Sequence, residues 1–336
     1  MTRRRLTRRQ RRRIARLQEE RRRRLERRIE ERLADGEEES AQAGRVIRRH
    51  GQNLLVRDAE GRDRHCLFRQ NLGEIVCGDR VLWQPAGDGQ GVVVALLPRE
   101  SVLTRVDFSG RERPLAANVT QLVVVVAPQP EPAGYLTDQY LVAAERMGVK
   151  ALVALNKADL LNPSALRRFQ QRFDLYRRIG YPVVTVSARM EHGLDPLRKR
   201  LRGETSILVG QSGVGKSSLI NALIPHRPEA VGALSPASGL GRHTTSAATL
   251  HFLESGGEII DSPGVRSFRL GKIDRRDLER GFREFAPWLG RCRFSNCSHR
   301  QEPGCALREA AERGEIHPQR LENFLRMMER LEKAAR

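Results

Sequence analysis

Long apolar runs are absent from this chain of 336 residues. The longest, such as residues 122–127, are far shorter than the roughly 20 apolar residues that a helix needs to cross a bilayer. No apolar stretch follows the basic start, so we expect no secretory signal, and acidic residues within that start argue against a transit peptide. The sequence therefore predicts a cytoplasmic protein without a membrane partner.

Cysteine is also scarce, with five residues in the whole chain. So few thiols exclude a disulfide-rich secreted scaffold and fit a reducing compartment. Cys66 and Cys77 have the character of small buried residues, whereas the other three cysteines lie close together near the C-terminal end.

Aromatic residues make up only 5% of the chain, while 61 Lys and Arg outnumber 41 Asp and Glu. The resulting net charge of +20 predicts a polyanionic partner. Residues 1–40 hold 16 arginines against nine acidic residues, so +13 of that charge belongs to the rest of the chain. Because the basic character extends beyond the N-terminal segment, it favours nucleic acid as the partner.

The N-terminal third of the chain predicts an arm, a barrel and a linker. Residues 1–42 predict a basic arm that is helical or disordered until it meets its partner, with a solvated tail as the alternative. Residues 43–97 hold five short β-rich runs between turn residues, which predicts an OB-type barrel. Its arginines indicate contacts with RNA phosphates, since only Phe68 and Trp83 are available to stack on bases. The alternative is a β-domain that only supports the neighbouring domain. Residues 98–115 are polar and predict a linker.

The remainder of the chain predicts an α/β domain followed by a helical one. Residues 116–270 alternate apolar runs with helical segments, which predicts a doubly wound parallel sheet. The predicted strands cover residues 122–127, 151–155, 183–186, 207–209 and 258–260. The predicted helices between them cover residues 136–147, 164–179 and 194–201. Residues 271–336 predict a helical domain with a metal site.

Residues 210–217 read Gly-Gln-Ser-Gly-Val-Gly-Lys-Ser and match the P-loop pattern. They follow a predicted strand and precede a run that can form a helix, which is the context that the motif requires. The backbone of such a loop wraps phosphates, Lys216 reaches the outer phosphates and the Ser217 hydroxyl ligates Mg²⁺. The predicted phosphate-binding residues are Gly210, Gln211, Ser212, Gly213, Val214, Gly215, Lys216, Ser217 and Ser218.

A second run, Asn-Lys-Ala-Asp, closes another predicted strand and contributes Asn156, Lys157 and Asp159. A carboxylate there accepts from two adjacent N–H donors on guanine, a pair that adenine lacks. The backbone N–H groups of Ser187 and Ala188 would support the guanine carbonyl. An ordinary GTPase places this run after the P-loop, whereas here it comes first. The order predicts a circularly permuted GTPase that binds GTP and GDP.

Two further segments predict the metal ligands of the nucleotide site. Asp261 ends a predicted strand and begins Asp-Ser-Pro-Gly, where an acid holds Mg²⁺ through water and the Gly264 amide senses the γ-phosphate. Within Gly-Arg-His-Thr-Thr-Ser, Thr245 would complete the Mg²⁺ coordination begun by Ser217, with Thr244 as the alternative.

The residue that orients the attacking water is the least determined part of this site. No glutamine follows Gly264, because Val265 occupies that place. His243 is the candidate, and an incidental surface histidine is the alternative. We therefore assign hydrolysis to His243, Lys216 and Thr245 and expect slow intrinsic turnover.

Four residues near the C-terminal end have metal-ligand spacing, C-x4-C-x-H-x5-C: Cys292, Cys297, His299 and Cys305. Three thiolates and one imidazole are a closed tetrahedral donor set for one structural Zn²⁺. A disulfide is the weaker alternative, since it would leave one cysteine and the histidine unexplained.

The chain closely resembles one family. The resemblance rests on five motifs in this order: N-K-A-D, G-Q-S-G-V-G-K-S-S, G-R-H-T-T-S, D-S-P-G-V and C-x4-C-x-H-x5-C. This family is the bacterial small-ribosomal-subunit biogenesis GTPases of the RsgA (YjeQ/YloQ) type, and the resemblance covers about residues 44–333. It implies OB, permuted GTPase and zinc domains, late maturation of the small subunit, rRNA binding and GTP hydrolysis stimulated by that subunit. Ser246 replaces a threonine that is common in the family, which leaves the Mg²⁺ assignment intact.

Two other classes of function remain as alternatives. One is a GTP-liganded RNA-binding scaffold without significant hydrolysis, which the missing glutamine motivates. The other is a zinc-dependent DNA-binding regulator, although the Cys/His spacing lacks the helix of a C₂H₂ finger. For the main hypothesis we expect a monomer.

Overall fold

The computed structural model describes residues 41–68, 72–87, 90–106, 111–224, 248–262 and 273–335. Residues 1–40, which hold most of the predicted arm, lie outside the described residues. The described chain divides into two compact units, the second of which begins at Glu100. None of the helices in the described part of the chain has the length and hydropathy needed to span a membrane.

The first unit is a closed barrel of five strands: β1 Gln42–His50, β2 Asn53–Asp58, β3 Asp63–Phe68, β4 Arg80–Gly87 and β5 Gln90–Leu96. The strands follow the order β1-β2-β3-β5-β4, and β4 pairs back onto β1. Strand β3 runs parallel to β5, and the other pairs are antiparallel. Val46, Val56 and Val93 fill its interior and are fully buried. This confirms the predicted OB-type barrel.

The surface of the barrel differs from the expectation in one respect. Trp83 lies in the core and is only 2% exposed, so it cannot stack on a base. Successive side chains of a strand point to opposite faces. The mixed polarity of the residues around Trp83 does not show which of these faces is buried, so the sequence alone could not place this ring in the core. Arg62 and Arg64 both pair with the buried carboxylate of Asp58, at 3.1 and 3.0 Å. Part of the positive charge is therefore neutralised within the barrel.

The segment predicted as a linker contains a β-hairpin. Strand β6 Val102–Val106 pairs antiparallel with β7 Glu112–Ala117. Leu103 and Ala116 are buried, whereas charged residues occupy the strands toward the turn. The high charge of this segment comes from the exposed positions of its two strands. Composition alone does not distinguish such strands from a linker.

A parallel sheet forms the centre of the second unit: β8 Gln121–Val126, β9 Lys150–Leu155, β10 Val183–Thr185, β11 Thr205–Val209 and β13 Glu258–Asp261. Strand β12, Thr249–Phe252, precedes β13 in the chain. The order β10-β9-β8-β11-β13 places β11 between strands that come before it and after it in sequence. This confirms the doubly wound sheet and its permuted connectivity.

Eight helices are described: α1 Gly134–Met147, α2 Pro163–Gln171, α3 Asp174–Arg178, α4 Asp195–Leu201, α5 Lys216–Leu223, α6 Arg275–Arg280, α7 Ala306–Glu312 and α8 Pro318–Ala335. The helix predicted over residues 164–179 is in fact two, α2 and α3. The buried rings of Phe169, Phe173 and Tyr176 have helical spacing, so periodicity alone did not reveal the break.

The C-terminal helices pack onto α1 around a buried ionic cluster. Arg320 of α8 is 1% exposed, and its Nη1 lies 2.7 Å from Oδ1 of the fully buried Asp138 on α1. Its guanidinium also donates to both carboxylate oxygens of Glu284, at 2.6 and 3.0 Å. Asn323 and Tyr176 donate to Asp138 at 2.7 and 2.8 Å. Beside this cluster, the apolar side chains of Leu321, Phe324 and Met328 on α8 are buried.

We expect Arg320→Ala to lower the free energy of unfolding by about 3–5 kcal/mol, because it leaves two buried carboxylates without a cation. Arg326→Ala on the same helix removes an exposed guanidinium that lies 4.8 Å from the Tyr135 ring, and should cost about 0.5–1 kcal/mol. Urea unfolding of both variants tests this. Equal, small losses would show that the buried cluster is not stabilising.

Candidate functional site

The predicted P-loop connects the central strand β11 to helix α5. Gly210 and Gly215 are held in conformations with φ of 141° and 94°, which favour glycine. A Cβ on Gly210 would lie 2.2 Å from the Val125 carbonyl oxygen, so only glycine lets the loop leave the sheet beside β8. The ammonium of Lys216 donates to the carbonyl oxygens of Gly210 and Gln211, each at 2.7 Å. The loop therefore curls around its own lysine at the N-terminus of α5.

The Asn-Lys-Ala-Asp run contacts this loop directly. Asn156 is buried at the end of β9, and its Nδ2 donates to the Val214 carbonyl oxygen at 2.8 Å. Lys157 adopts a left-handed backbone, with φ of 61°, and its Nζ donates to the Gly213 carbonyl oxygen at 2.7 Å. Two sequence motifs separated by more than 50 residues therefore meet at the carboxyl edge of the sheet.

Asp159 is oriented by a residue from the next strand. Its Oδ1 accepts from the Ser187 hydroxyl at 2.6 Å, and the Asp159 side chain itself lies in an exposed 3-10 turn. The Ser187 N–H already donates to the Gly193 carbonyl oxygen at 3.0 Å. Ser187 thus acts through its side chain, a contact that the sequence did not indicate, and Ala188 follows it, half-buried.

Asp261 is the last residue of β13, beside the P-loop strand. The parallel pairing of Ile260 with Ile207 puts Asp261 at the same sheet edge as Gly210. The other predicted residues of this part of the site lie outside the described residues: His243, Thr244, Thr245, Ser246 and Gly264.

Two residues around the loop were not predicted from sequence. The Gln129 carbonyl oxygen accepts from Lys157 Nζ at 2.8 Å, beside the contact with the P-loop. Tyr140 of α1 is 2% exposed, burial raises the pKa of its phenol, and its hydroxyl is hydrogen-bonded to the backbone of Gly210. No motif marks either residue, because each acts through packing or through a backbone oxygen.

The four predicted zinc ligands converge in the C-terminal helical region. Their ligand atoms all lie within 4.8 Å of one another. His299 Nδ1 lies 3.6, 3.7 and 3.3 Å from the Sγ atoms of Cys292, Cys297 and Cys305. A tetrahedral zinc with ordinary bond lengths would separate nitrogen and sulfur by about 3.5 Å, so the donor set fits that ion.

A bound metal would keep the thiols of this cluster ionised. Burial raises the pKa of the Cys297 thiol to about 12. Such a thiol keeps its proton at neutral pH unless a bound metal displaces it. None of the described cysteines forms a disulfide, so the alternative reading of this cluster has no structural support.

Comparison with known proteins identifies the family. The family model described as RsgA GTPase matches residues 96–271. The chain belongs to the RsgA GTPase family. Two proteins named small ribosomal subunit biogenesis GTPase RsgA, from Pseudomonas aeruginosa and Alcanivorax borkumensis, are each 47% identical to it. The first alignment covers 96% of both chains, and the second covers 100% of this chain and 98% of the relative.

Solved structures agree with this assignment. The crystal structure of YjeQ from Thermotoga maritima superposes with a TM-score of 0.71 at 34% identity, covering 87% of this chain and 99% of that one. YloQ, described as a circularly permuted GTPase, gives 0.70 at 26% identity, covering 89% and 98%. Membership of the RsgA family confirms the predicted resemblance, the fold class and a GTP-hydrolysing enzyme.

We expect Asn156→Ala to weaken GTP binding by about 5–150-fold, because the buried Val214 carbonyl would lose its donor, at a cost of about 1–3 kcal/mol. Asn162→Ala is the matched control: it removes the N-cap of α2, where Asn162 accepts from the Ala165 N–H, and should cost about 1 kcal/mol in stability alone. Fluorescent-nucleotide titration and urea unfolding separate the two effects. Equal nucleotide affinities in both variants would contradict the proposed support of the loop.

Proposed function

We propose that this RsgA-family GTPase hydrolyses GTP in late maturation of the small ribosomal subunit and is stimulated by that subunit. Its relatives carry the name small ribosomal subunit biogenesis GTPase, and they align over nearly their whole length. The net charge of +20 supports rRNA as the contacted component, because phosphate contacts dominate the affinity of basic proteins for RNA. The protein acts as a cytoplasmic monomer without a membrane partner.

The observation that carries this proposal is the contact of Asn156 and Lys157 with the P-loop. It supports one pocket in which residues 210–218 hold the phosphates of GTP or GDP and Asp159 reads guanine. Ser187 orients the Asp159 carboxylate through its hydroxyl, and the Ala188 N–H is the remaining backbone donor for the guanine carbonyl.

The same sheet edge would hold the magnesium ion that accompanies GTP. Ser217 and Thr245 are the proposed direct ligands, and Asp261 would act through water. Bound there, the ion would supply positive charge to neutralise the phosphates. The Gly264 amide would contact the γ-phosphate, and His243 would orient the attacking water. Lys216 then stabilises charge that develops between the transferred and leaving groups.

We propose that the Cys₃His cluster binds one structural zinc ion. All four donors belong to protein side chains, which leaves no position for a substrate. The domain division that accompanies this proposal is an arm at 1–42, an OB domain at 43–97, a GTPase domain at 116–270 and a zinc domain at 271–336. The β6–β7 hairpin occupies most of the segment 98–115 between the OB and GTPase domains.

The decisive test is GTP hydrolysis by the purified full chain with and without small ribosomal subunits. We expect slow turnover alone and a rise of at least tenfold with subunits, decreasing as salt is raised because the electrostatic attraction weakens. Lys216→Ala is the negative control. Turnover that subunits leave unchanged would refute the proposed role in their maturation, while the GTPase assignment itself would stand.

We expect Asp159→Asn to lower GTP affinity by about 10–100-fold, because one hydrogen-bonded charge is lost. An amide can donate to a carbonyl, so the variant should gain affinity for xanthosine triphosphate, which has a carbonyl where guanine has its amine. Asp195→Asn at the start of α4, where the carboxylate pairs with Arg198, makes the same chemical change at a residue outside the predicted base-recognition set. Competition titrations with GTP, ATP and xanthosine triphosphate measure both. Unaltered base preference in Asp159→Asn would remove this residue from base recognition.

A further inference from the structure

We infer that Glu279 is the positioning residue of the Cys₃His site and fixes His299 in the tautomer that presents Nδ1 to the three thiolates. The inference rests on the proposed zinc centre. It concerns a carboxylate outside the four-ligand motif, on helix α6, 20 positions before the histidine.

The orientation of the imidazole supports this role. Nδ1 faces the three sulfur atoms, and Nε2 on the opposite side of the ring lies 3.2 Å from Glu279 Oε1. An ionised carboxylate only accepts hydrogen bonds, so the proton of a neutral His299 must sit on Nε2. The lone pair of Nδ1 is then directed toward the metal position, and the carboxylate makes the ring more basic.

Glu279 is itself held in place by a hydrogen bond from the same helix. Arg275, one turn earlier on α6, donates from Nε to Glu279 Oε1 at 2.7 Å and from Nη2 to the Cys297 carbonyl oxygen. Asp274 caps α6 by accepting from the Asp277 N–H at 2.7 Å. Residues of α6 therefore contact both the ring of His299 and the backbone carbonyl of Cys297.

A second carboxylate nearby has a different role and provides the control. Glu302 accepts from the backbone N–H groups of Ser298, Arg300 and Gln301, at 2.6, 3.1 and 3.1 Å. It organises the loop between two ligands without a hydrogen bond to the His299 ring. Loss of Glu302 should disturb the loop, whereas loss of Glu279 should release the ring.

The test compares Glu279→Ala, the isosteric Glu279→Gln and Glu302→Gln in the full chain. Zinc affinity is measured by competition with a chromophoric chelator, and the His299 ring nitrogens are observed by ¹⁵N NMR in the zinc-loaded protein. We expect a 10–100-fold loss of affinity in Glu279→Ala. Glu279→Gln should lose less, since its amide oxygen still accepts. Both should show altered Nε2–H signals, while Glu302→Gln keeps the wild-type ring signals.

A Glu279→Ala protein that binds zinc within twofold of wild type, with unchanged ring signals, would overturn the inference and leave the zinc centre intact. A wild-type protein that retains no zinc after purification with the metal present would overturn the zinc centre and the inference together. If Glu302→Gln changed the ring signals as Glu279→Ala does, positioning would belong to the loop as a whole, and the specific role of Glu279 would be wrong.

Discussion

Two hydrogen bonds between strand ends hold the nucleotide site together. Asn156 and Lys157 donate to consecutive carbonyl oxygens of the P-loop, at Val214 and Gly213. The residues that would recognise the base therefore also brace the loop that would hold the phosphates. Chain order is irrelevant to such a contact, because both motifs follow parallel strands, β9 and β11, which flank β8 and end at the same edge of the sheet. A permuted connectivity can thus preserve the contact between the two motifs.

Helix α1 connects this site to the C-terminal helices within the second unit. Tyr140 on α1 is hydrogen-bonded to Gly210 of the P-loop. Two positions earlier, Asp138 contacts Arg320 of α8, and Val142 packs in the core of the C-terminal helices. The buried ionic cluster therefore joins α1 to α8 directly.

Motifs and apolar periodicity predicted the barrel, the parallel sheet, the P-loop, the Asn-Lys-Ala-Asp run and the zinc ligands. These features depend on residue type and spacing, which a single sequence displays. The hairpin at 102–117 was not recognised, because half-exposed strands carry as much charge as a linker. Arg320, Tyr140 and Glu279 were also not predicted. Each acts through contacts with residues far away in the sequence, and sequence spacing contains no information about such partners.

The structure of the full chain crystallised with a non-hydrolysable GTP analogue and magnesium tests the central claim most directly. We expect the triphosphate within residues 210–217 and the Asp159 carboxylate within about 3 Å of the two N–H donors of guanine. Asn156 should remain bonded to the Val214 carbonyl oxygen. A guanine that lies away from Asp159, or a triphosphate bound elsewhere, would contradict a single pocket built from the two motifs.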